Sequence, residues 1–245
     1  MVDSRDPFLE ASPEGTGGPE VSVVIPAFNE EKSIGLVLRR THEVLQKVRF
    51  PYEVIVIDDG SKDQTARVAE DHDVTLINHL ENSGKGHALR RGFSKARGRF
   101  VVTLDADGAH QPEDIPRLLD VAFSSGAAVV IGSRFSGQLG EGAVSRLHVI
   151  GNRIINAVLL LMTGRYISDS QSGFRVYRRE ALERLSLYSS GYDIETELAV
   201  KLLKQGLPVE EVPITCDARH SGHSKVQTFK DGAKILKSIL RAYFF

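Results

Sequence analysis

The sequence predicts an α/β protein with a mostly parallel central sheet and helices on both faces. Short β-branched runs alternate with helix-spaced segments through the first half of the chain, the signature of βαβ units. These runs are largely apolar, as strands covered on both faces are. At 245 residues, 41% hydrophobic and 26% charged, the chain suits one large domain with a sizeable core.

Val21-Ser-Val-Val-Ile25, closed by Pro26, is the first strand. Residues 33–48 carry Ile34, Val37, Leu38, Thr41 and Leu45 at helical spacing. Glu53-Val-Ile-Val-Ile57 is a second strand running into Asp58-Asp59-Gly60-Ser61. Ser61 or Asp63 can cap the helix over 64–71. A third strand is predicted over 74–77, a third helix over 86–96 and a fourth strand over 99–104, ending in Asp105-Ala106-Asp107. A helix over 112–123 has Pro112 in its first turn, and a fifth strand covers 127–131.

The second half is less regular. It reads as a helix over 144–162, a short strand over 175–177, a helix over 194–204 and a strand over 209–216. Pro213 places that last strand at a sheet edge. Residues 1–20 are polar and rich in Gly and Pro, and read as a disordered tail without the pattern of a secretory leader. Residues 21–224 form the α/β domain. Residues 225–245 form an amphipathic helix, with Ile235, Leu236, Ile239, Leu240, Tyr243 and Phe244 on one side and Lys230, Lys234, Lys237 and Arg241 as a basic complement. Such a helix can lie in a membrane interface or pack against the domain or a partner subunit. No apolar run reaches membrane-spanning length.

Thirty-one basic and 32 acidic residues leave a net charge of −1, which argues against nucleic acid as a partner. The lone Cys216 excludes an internal disulfide. It reads as a small buried residue in a reducing compartment.

In open parallel sheets ligands bind beyond the carboxyl ends of the strands. Asn29-Glu30, Asp58-Asp59 and Asp105/Asp107 all fall there. Two carboxylates at i and i+2 of a strand end point the same way. Their repulsion is relieved by a hard divalent cation, Mg2+ or Mn2+, which takes oxygen ligands and keeps positions open for phosphates. A solvated turn is the bland alternative for a lone pair of this kind; two further acidic clusters on the same rim favour the metal site. Asp58-Asp59-Gly60-Ser61 reads either as a turn and cap or as a nucleoside reader. Asn82-Ser-Gly-Lys-Gly86 lacks the spacing of a P-loop, and Lys85 in it either faces phosphate or is solvated. No G-x-G-x-x-G follows the first strand, which disfavours a dinucleotide-binding dehydrogenase.

Six motifs recur in one order: Val23-Val-Ile-Pro-Ala-Phe-Asn-Glu30, Val56-Ile-Asp-Asp-Gly-Ser61, Gly84-Lys-Gly86, Leu104-Asp-Ala-Asp107, Gly132-Ser-Arg134 and Asp169-Ser-Gln-Ser-Gly-Phe-Arg175. Together they resemble glycosyltransferase family two, and within it the dolichol-phosphate mannose synthases and other polyprenyl-phosphate glycosyltransferases, over about residues 21–230.

The resemblance implies a GT-A fold and an inverting, metal-dependent transfer of a hexose. The donor would be a nucleotide sugar, GDP-mannose or UDP-glucose, and the acceptor dolichyl or another polyprenyl phosphate. By matched motif, Pro26, Ala27, Asn29, Glu30 and Asp58 hold the nucleoside. Asp105 and Asp107 hold the metal and diphosphate. Arg134 meets the acceptor phosphate, and Gln171, Ser172 and Arg175 shape the sugar and acceptor side. Arg219 and Lys225 match the family's loop near the phosphates. Arg146 and Arg153 both qualify as a second acceptor arginine. A lipid acceptor implies peripheral association with the cytoplasmic face of a membrane, and leaves room for a membrane partner subunit.

Ala109 stands where many polyprenyl mannose synthases carry a metal-ligating Gln, which weakens mannose as the sugar. A phosphate acceptor is already anionic near neutral pH and needs orientation more than a base. A hydroxyl acceptor on a glycan, the nearest rival reading, needs a base; Asp193, Glu195 and Glu197 are the candidates, Glu197 first among them. A sugar-phosphate nucleotidyltransferase would carry a Gly-rich loop where this chain has Pro-Ala-Phe-Asn. A non-catalytic nucleotide-binding module would have little need of the acidic rim.

Overall fold

A computed structural model describes residues 17–48, 50–218 and 238–244. The elements are β1 (Val21–Ala27), α1 (Ile34–Leu45), β2 (Tyr52–Asp58), α2 (Thr65–Glu70), β3 (Thr75–Asn78), α3 (Lys85–Phe93), β4 (Phe100–Thr103), α4 (Ile115–Ser124), β5 (Val129–Leu139), α5 (Arg146–Thr163), β6 (Arg175–Arg178), α6 (Arg179–Glu183), α7 (Ile194–Lys204) and β7 (Val209–Cys216). One 3-10 turn, Pro112–Asp114, leads into α4. Arg219, Lys225, most of the 1–20 tail and most of the 225–245 segment lie outside the described residues.

The seven strands form one sheet in the order β3-β2-β1-β4-β6-β5-β7. Only β6 runs against its neighbours β4 and β5; the other pairings are parallel. The parallel sheet of the sequence reading is therefore present, and β7 holds the edge that Pro213 implied.

Alternation along the central strands divides the core. Val21, Val23 and Ile25 of β1 face one layer with Ile34 and Leu38 of α1 and Leu118 of α4. Val24 of β1 and Ile55 and Ile57 of β2 face the other with Ala88 and Leu89 of α3 and Leu198 of α7. This two-sided burial is why these strands read as apolar without a polar face.

A third, smaller cluster joins Ile155 and Leu159 of α5, Val200 of α7, and Ile239 and Ala242 of the 238–244 segment. That segment is helical, with Tyr188 donating its hydroxyl to the Ser238 carbonyl at 3.0 Å. Of the two readings of the C-terminal stripe, packing against the domain holds for Ile239 and, in part, Tyr243, while Leu240 and Phe244 stay exposed.

α5 starts at Ser145, whose hydroxyl accepts from the His148 N–H, and closes at Gly164 in the left-handed region (φ 70°). Leu147, Ile150, Ile154 and Leu161 on it face outward. Among the described residues no helix is long and apolar enough to cross a membrane.

Candidate active site

The first cavity, about 360 Å³, opens at the carboxyl ends of β1, β2 and β4. Pro26, Ala27, Phe28 and Glu30 line it after β1, Asp59 after β2, Asn82, Gly84, Lys85 and Ala88 around the start of α3, Asp105, Ala106 and Asp107 after β4, and Tyr192 before α7. Seven residues expected from sequence are thus brought together: Pro26, Ala27, Glu30, Asp59, Lys85, Asp105 and Asp107.

Lys85 is the electrostatic centre. Its Nζ lies 2.6 Å from Asp105 Oδ1 and 2.7 Å from Glu195 Oε1. Burial opposes its charge, but the two carboxylates outweigh that and hold the ammonium well above the ordinary lysine range. Lys85 is therefore not a solvated surface cation. Gly84 (φ 94°) and Gly86 permit this placement, since a Cβ on either would stand 2.2 Å and 2.4 Å from the carbonyls of Ser190 and Ser189. Gly86 N donates to that Ser190 carbonyl at 2.8 Å.

The 169–175 loop closes over the same pair. A Cβ at Gly173 would lie 2.8 Å from both Asp105 Oδ2 and Lys85 Nζ. Asp107 folds back so that Oδ1 accepts from the Ala109 N–H at 3.0 Å. His110 is buried beneath, its ring 5.6 Å from Phe174 and its Nδ1 4.0 Å from Asp105 Oδ2. Burial lowers its pKa, against the pull of Asp105, so the ring is neutral. The donor set, two carboxylates on one cavity wall, suits a hard divalent cation that takes its other ligands from phosphate and water.

Adjacent carboxylates after β2 divide their work. Asp59 lines the cavity; its carboxylate accepts from Ser83 N at 3.1 Å and Gly84 N at 2.7 Å. Asp58 is turned away, accepting from the backbone and hydroxyl of Ser61. Asn29, in the left-handed region at φ 55°, is likewise a brace. Its N–H donates to Ser61 Oγ and its Oδ1 accepts from Lys62 N, both at 2.8 Å. Asp58 and Asn29 thus brace the cavity wall from behind.

Arg134 borders a second cavity with Phe135, Leu139, Val149, Arg153 and Tyr166. Its Nε and Nη2 form a fork on Asp169 at 2.7 and 2.8 Å, and its N–H adds a third bond at 3.1 Å. Burial opposes the guanidinium charge, but fully buried Asp169 holds it above the ordinary arginine value. Sequence reasoning gave Asp169 no role; the only signal was its place at the head of the Asp-Ser-Gln-Ser-Gly-Phe-Arg run. Phe28, Asn82 and Tyr192 were missed as well. They have ordinary residue types and reach the cavity through loop packing.

Four expected residues are placed elsewhere. Glu197 is fully buried; its carboxylate accepts from Tyr188 N and Ser189 N and pairs with Lys201 at 2.8 Å. The carboxylate of α7 that reaches the cavity is Glu195, through Lys85. Arg175 is also fully buried, donating to the carbonyls of Ser172, Glu195 and Ser170 at 2.8, 2.9 and 2.6 Å. Ser172 is buried, its Oγ accepting from Phe174 N. Gln171 donates to Thr196 Oγ1 at 3.1 Å. Arg175 thus fastens the loop that carries Asp169 and Gly173 onto α7. Arg175→Met is expected to cost about 3 kcal/mol or more, because three buried carbonyls lose their donor. A denaturant titration reads this loss, and an unchanged midpoint would refute the role. Cys216 is 2% exposed, and burial pushes its thiol up to about 11, in keeping with a packing residue.

A mostly parallel sheet carrying a paired-carboxylate cavity at its strand ends has the architecture of a GT-A fold. The model of the family described as Glycosyl transferase family 2 matches residues 22–186, and the chain belongs to that family. Polyprenol monophosphomannose synthase of Mycolicibacterium smegmatis is 35% identical, over 83% of this chain and 80% of its own. Dolichol-phosphate mannosyltransferase of Pyrococcus furiosus is 33% identical, over 85% of this chain and 59% of its own. Across six curated relatives the chain spans from 51% to 93% of their length. Among solved structures, glucosyl-3-phosphoglycerate synthase from Mycobacterium tuberculosis, in complex with Mn2+, UDP and glucosyl-3-phosphoglycerate, superposes with a TM-score of 0.74 at 24% identity, covering 95% of this chain and 86% of that one.

Proposed function

We propose that the protein transfers a hexose, mannose or glucose, from a nucleotide diphosphate sugar to a polyprenyl phosphate with inversion. The observation that carries this reading is the second cavity, where Arg134 and Arg153 stand beside Phe135, Leu139, Val149 and Tyr166. Two cations among apolar side chains fit a phosphate on a hydrocarbon chain better than a sugar hydroxyl. The outward Leu147, Ile150, Ile154 and Leu161 of α5 extend that apolar character to the surface, as expected for peripheral attachment to the cytoplasmic face of a membrane. The names of the mycobacterial and pyrococcal relatives agree with such an acceptor.

In this reading Asp59 and the walls around Pro26 and Ala27 hold the nucleoside. Asp105 and Asp107 would hold Mg2+ or Mn2+, whose Lewis acidity stabilises charge on the leaving diphosphate. Lys85 orients Asp105 through their ion pair, with Glu195 and the close backbone of Gly173 fixing the ammonium. Arg134, held by Asp169, orients the acceptor phosphate for attack on the anomeric carbon from the opposite face. The phosphate is largely dianionic at neutral pH, its second pKa being about 6, so no carboxylate base is required. This agrees with Glu197 being engaged elsewhere.

The test offers purified protein a short polyprenyl phosphate with labelled GDP-mannose or UDP-glucose, with and without chelator. Label entering the organic phase with one donor, and lost with chelator, is the expected result. No lipid label, with nucleotide release stimulated by a soluble glycan, would overturn the acceptor and turn attention to Glu195.

A further inference from the structure

Beside the first cavity, Asp59 is joined by two histidines, His79 and His87, that the transfer reaction does not use. Asp59 ends the β2 turn, His79 follows β3, and His87 sits in the first turn of α3. One potential ligand atom from each lies within 4.8 Å of the other two. The imidazoles of His79 and His87 are 4.9 Å apart, centroid to centroid, and His79 Nδ1 is 2.8 Å from Asp59 Oδ1. His87 Nδ1 is buried without a hydrogen-bond partner among the described residues. A buried ring nitrogen of this kind is costly unless something occupies it.

We propose that Asp59, His79 and His87 bind a transition-metal cation of the zinc class, at a site separate from Asp105 and Asp107. Two imidazoles, borderline nitrogen ligands, joined by one carboxylate suit Zn2+ rather than Mg2+ or Ca2+, which take all-oxygen sets. In the metal-free arrangement a proton lies between His79 and Asp59; the cation takes its place. The Ser83 and Gly84 N–H groups that donate to Asp59 orient its carboxylate, as partners of ligating carboxylates do. Three protein ligands leave one position open for water.

The placement has a consequence for the neighbouring cavity. The three ligands come from three separate elements, and the 79–87 segment between two of them carries Asn82, Gly84 and Lys85. A cation here fastens that segment to β2, and draws on the same Asp59 that faces the nucleoside. Zinc-class metal therefore sets the shape of the base end of the cavity while the reaction metal sits at its diphosphate end.

The experiment is direct metal binding, read without turnover. Chelator-stripped protein is titrated with Co2+ by visible absorption and with Zn2+ by calorimetry. The panel is wild type, Asp105→Asn/Asp107→Asn, His87→Gln and His79→Gln/His87→Gln. The expected result is one ion per chain with the d–d bands of a nitrogen-ligated, four- or five-coordinate site. It should persist in the Asp105/Asp107 variant and weaken at least tenfold in His87→Gln and in the double-histidine variant. His87→Gln guards against misfolding, since His87 Nδ1 has no hydrogen bond to lose and its metal-free melting temperature should match wild type. Absence of nitrogen-ligated binding, its loss in the Asp105/Asp107 variant, or undiminished binding in the histidine variants would overturn the proposal. None of these outcomes depends on the identity of sugar or acceptor, so the result is separable from the proposed transfer reaction.

Discussion

Asp107→Asn is expected to lower transfer by about 10²- to 10³-fold, the scale of removing one group that stabilises transition-state charge, while leaving the fold intact. The asparagine oxygen still accepts from the Ala109 N–H that Asp107 Oδ1 holds at 3.0 Å. The turn therefore keeps its bond while the site loses a formal charge. Asp105→Asn should cost at least as much, because Lys85 loses one of two carboxylate partners and keeps only Glu195 at 2.7 Å. The ammonium then stands beside a neutral amide where the proposed reaction uses a carboxylate. Melting temperature should fall by no more than about 2–4 °C per variant, equivalent to roughly 1 kcal/mol in a chain of this size. Transfer and thermal melting measured side by side separate chemistry from folding. Near-wild-type turnover of either variant with Mg2+ or Mn2+ present would overturn the assignment of the pair.

The strand ends were the readable part of this site, for a physical reason. Strand, tight turn and helix N-terminus fix their side chains locally, so Glu30, Asp105 and Asp107 could be placed from pattern alone, while Pro26 and Ala27 followed from the family motif. Choosing between adjacent or near-adjacent carboxylates was harder. Neighbours at a strand end point to opposite sides, so of Asp58 and Asp59 only one can face the cavity, and the pattern does not say which. Glu195 and Glu197 lie two positions apart on α7, on different faces of the helix. Glu197 pairs with Lys201 one turn along the same helix, and Glu195 meets the cavity because Lys85 arrives from α3.

The same limit applies to longer elements. β5 was expected over 127–131 and runs from Val129 to Leu139. Its second part is polar, Ser-Arg-Phe-Ser-Gly-Gln, and exists as strand because β7 pairs with it across a register shift between Ser133 and Gln138. α6, at five residues, is too short to show a helical period. Arg175 lay in a matched motif and yet is a structural cation. Motif membership fixes where a residue sits in the chain, and the burial of its neighbours fixes what it can touch.

Arg134 and Asp169 should behave as a unit whose loss is felt in both stability and acceptor use. Arg134→Ala leaves the Asp169 carboxylate, fully buried, without its counter-charge. Breaking a buried pair on one side costs about 3–5 kcal/mol, which lowers the melting temperature by about 6–20 °C at this chain length. That loss would hide any effect on acceptor binding, so the informative substitution is Arg134→Lys. Lysine keeps the charge beside Asp169 but cannot reproduce the side-on fork made by Nε and Nη2, and its single ammonium cannot serve Asp169 and an incoming phosphate in the same geometry. The acceptor KM should rise about tenfold or more, the equivalent of one charge-assisted hydrogen bond, with nucleotide affinity unchanged because the first cavity is untouched. Asp169→Asn should produce the same split from the other side, since the guanidinium keeps an oxygen acceptor but loses the charge that anchors it. The double variant should then cost less than the sum of the singles, as expected for groups that share one interaction. Additive effects, or an Arg134→Lys enzyme with wild-type acceptor KM, would show that the fork braces the loop without presenting a cation to the acceptor. In that case Arg153 is the remaining cation of the second cavity to carry the phosphate.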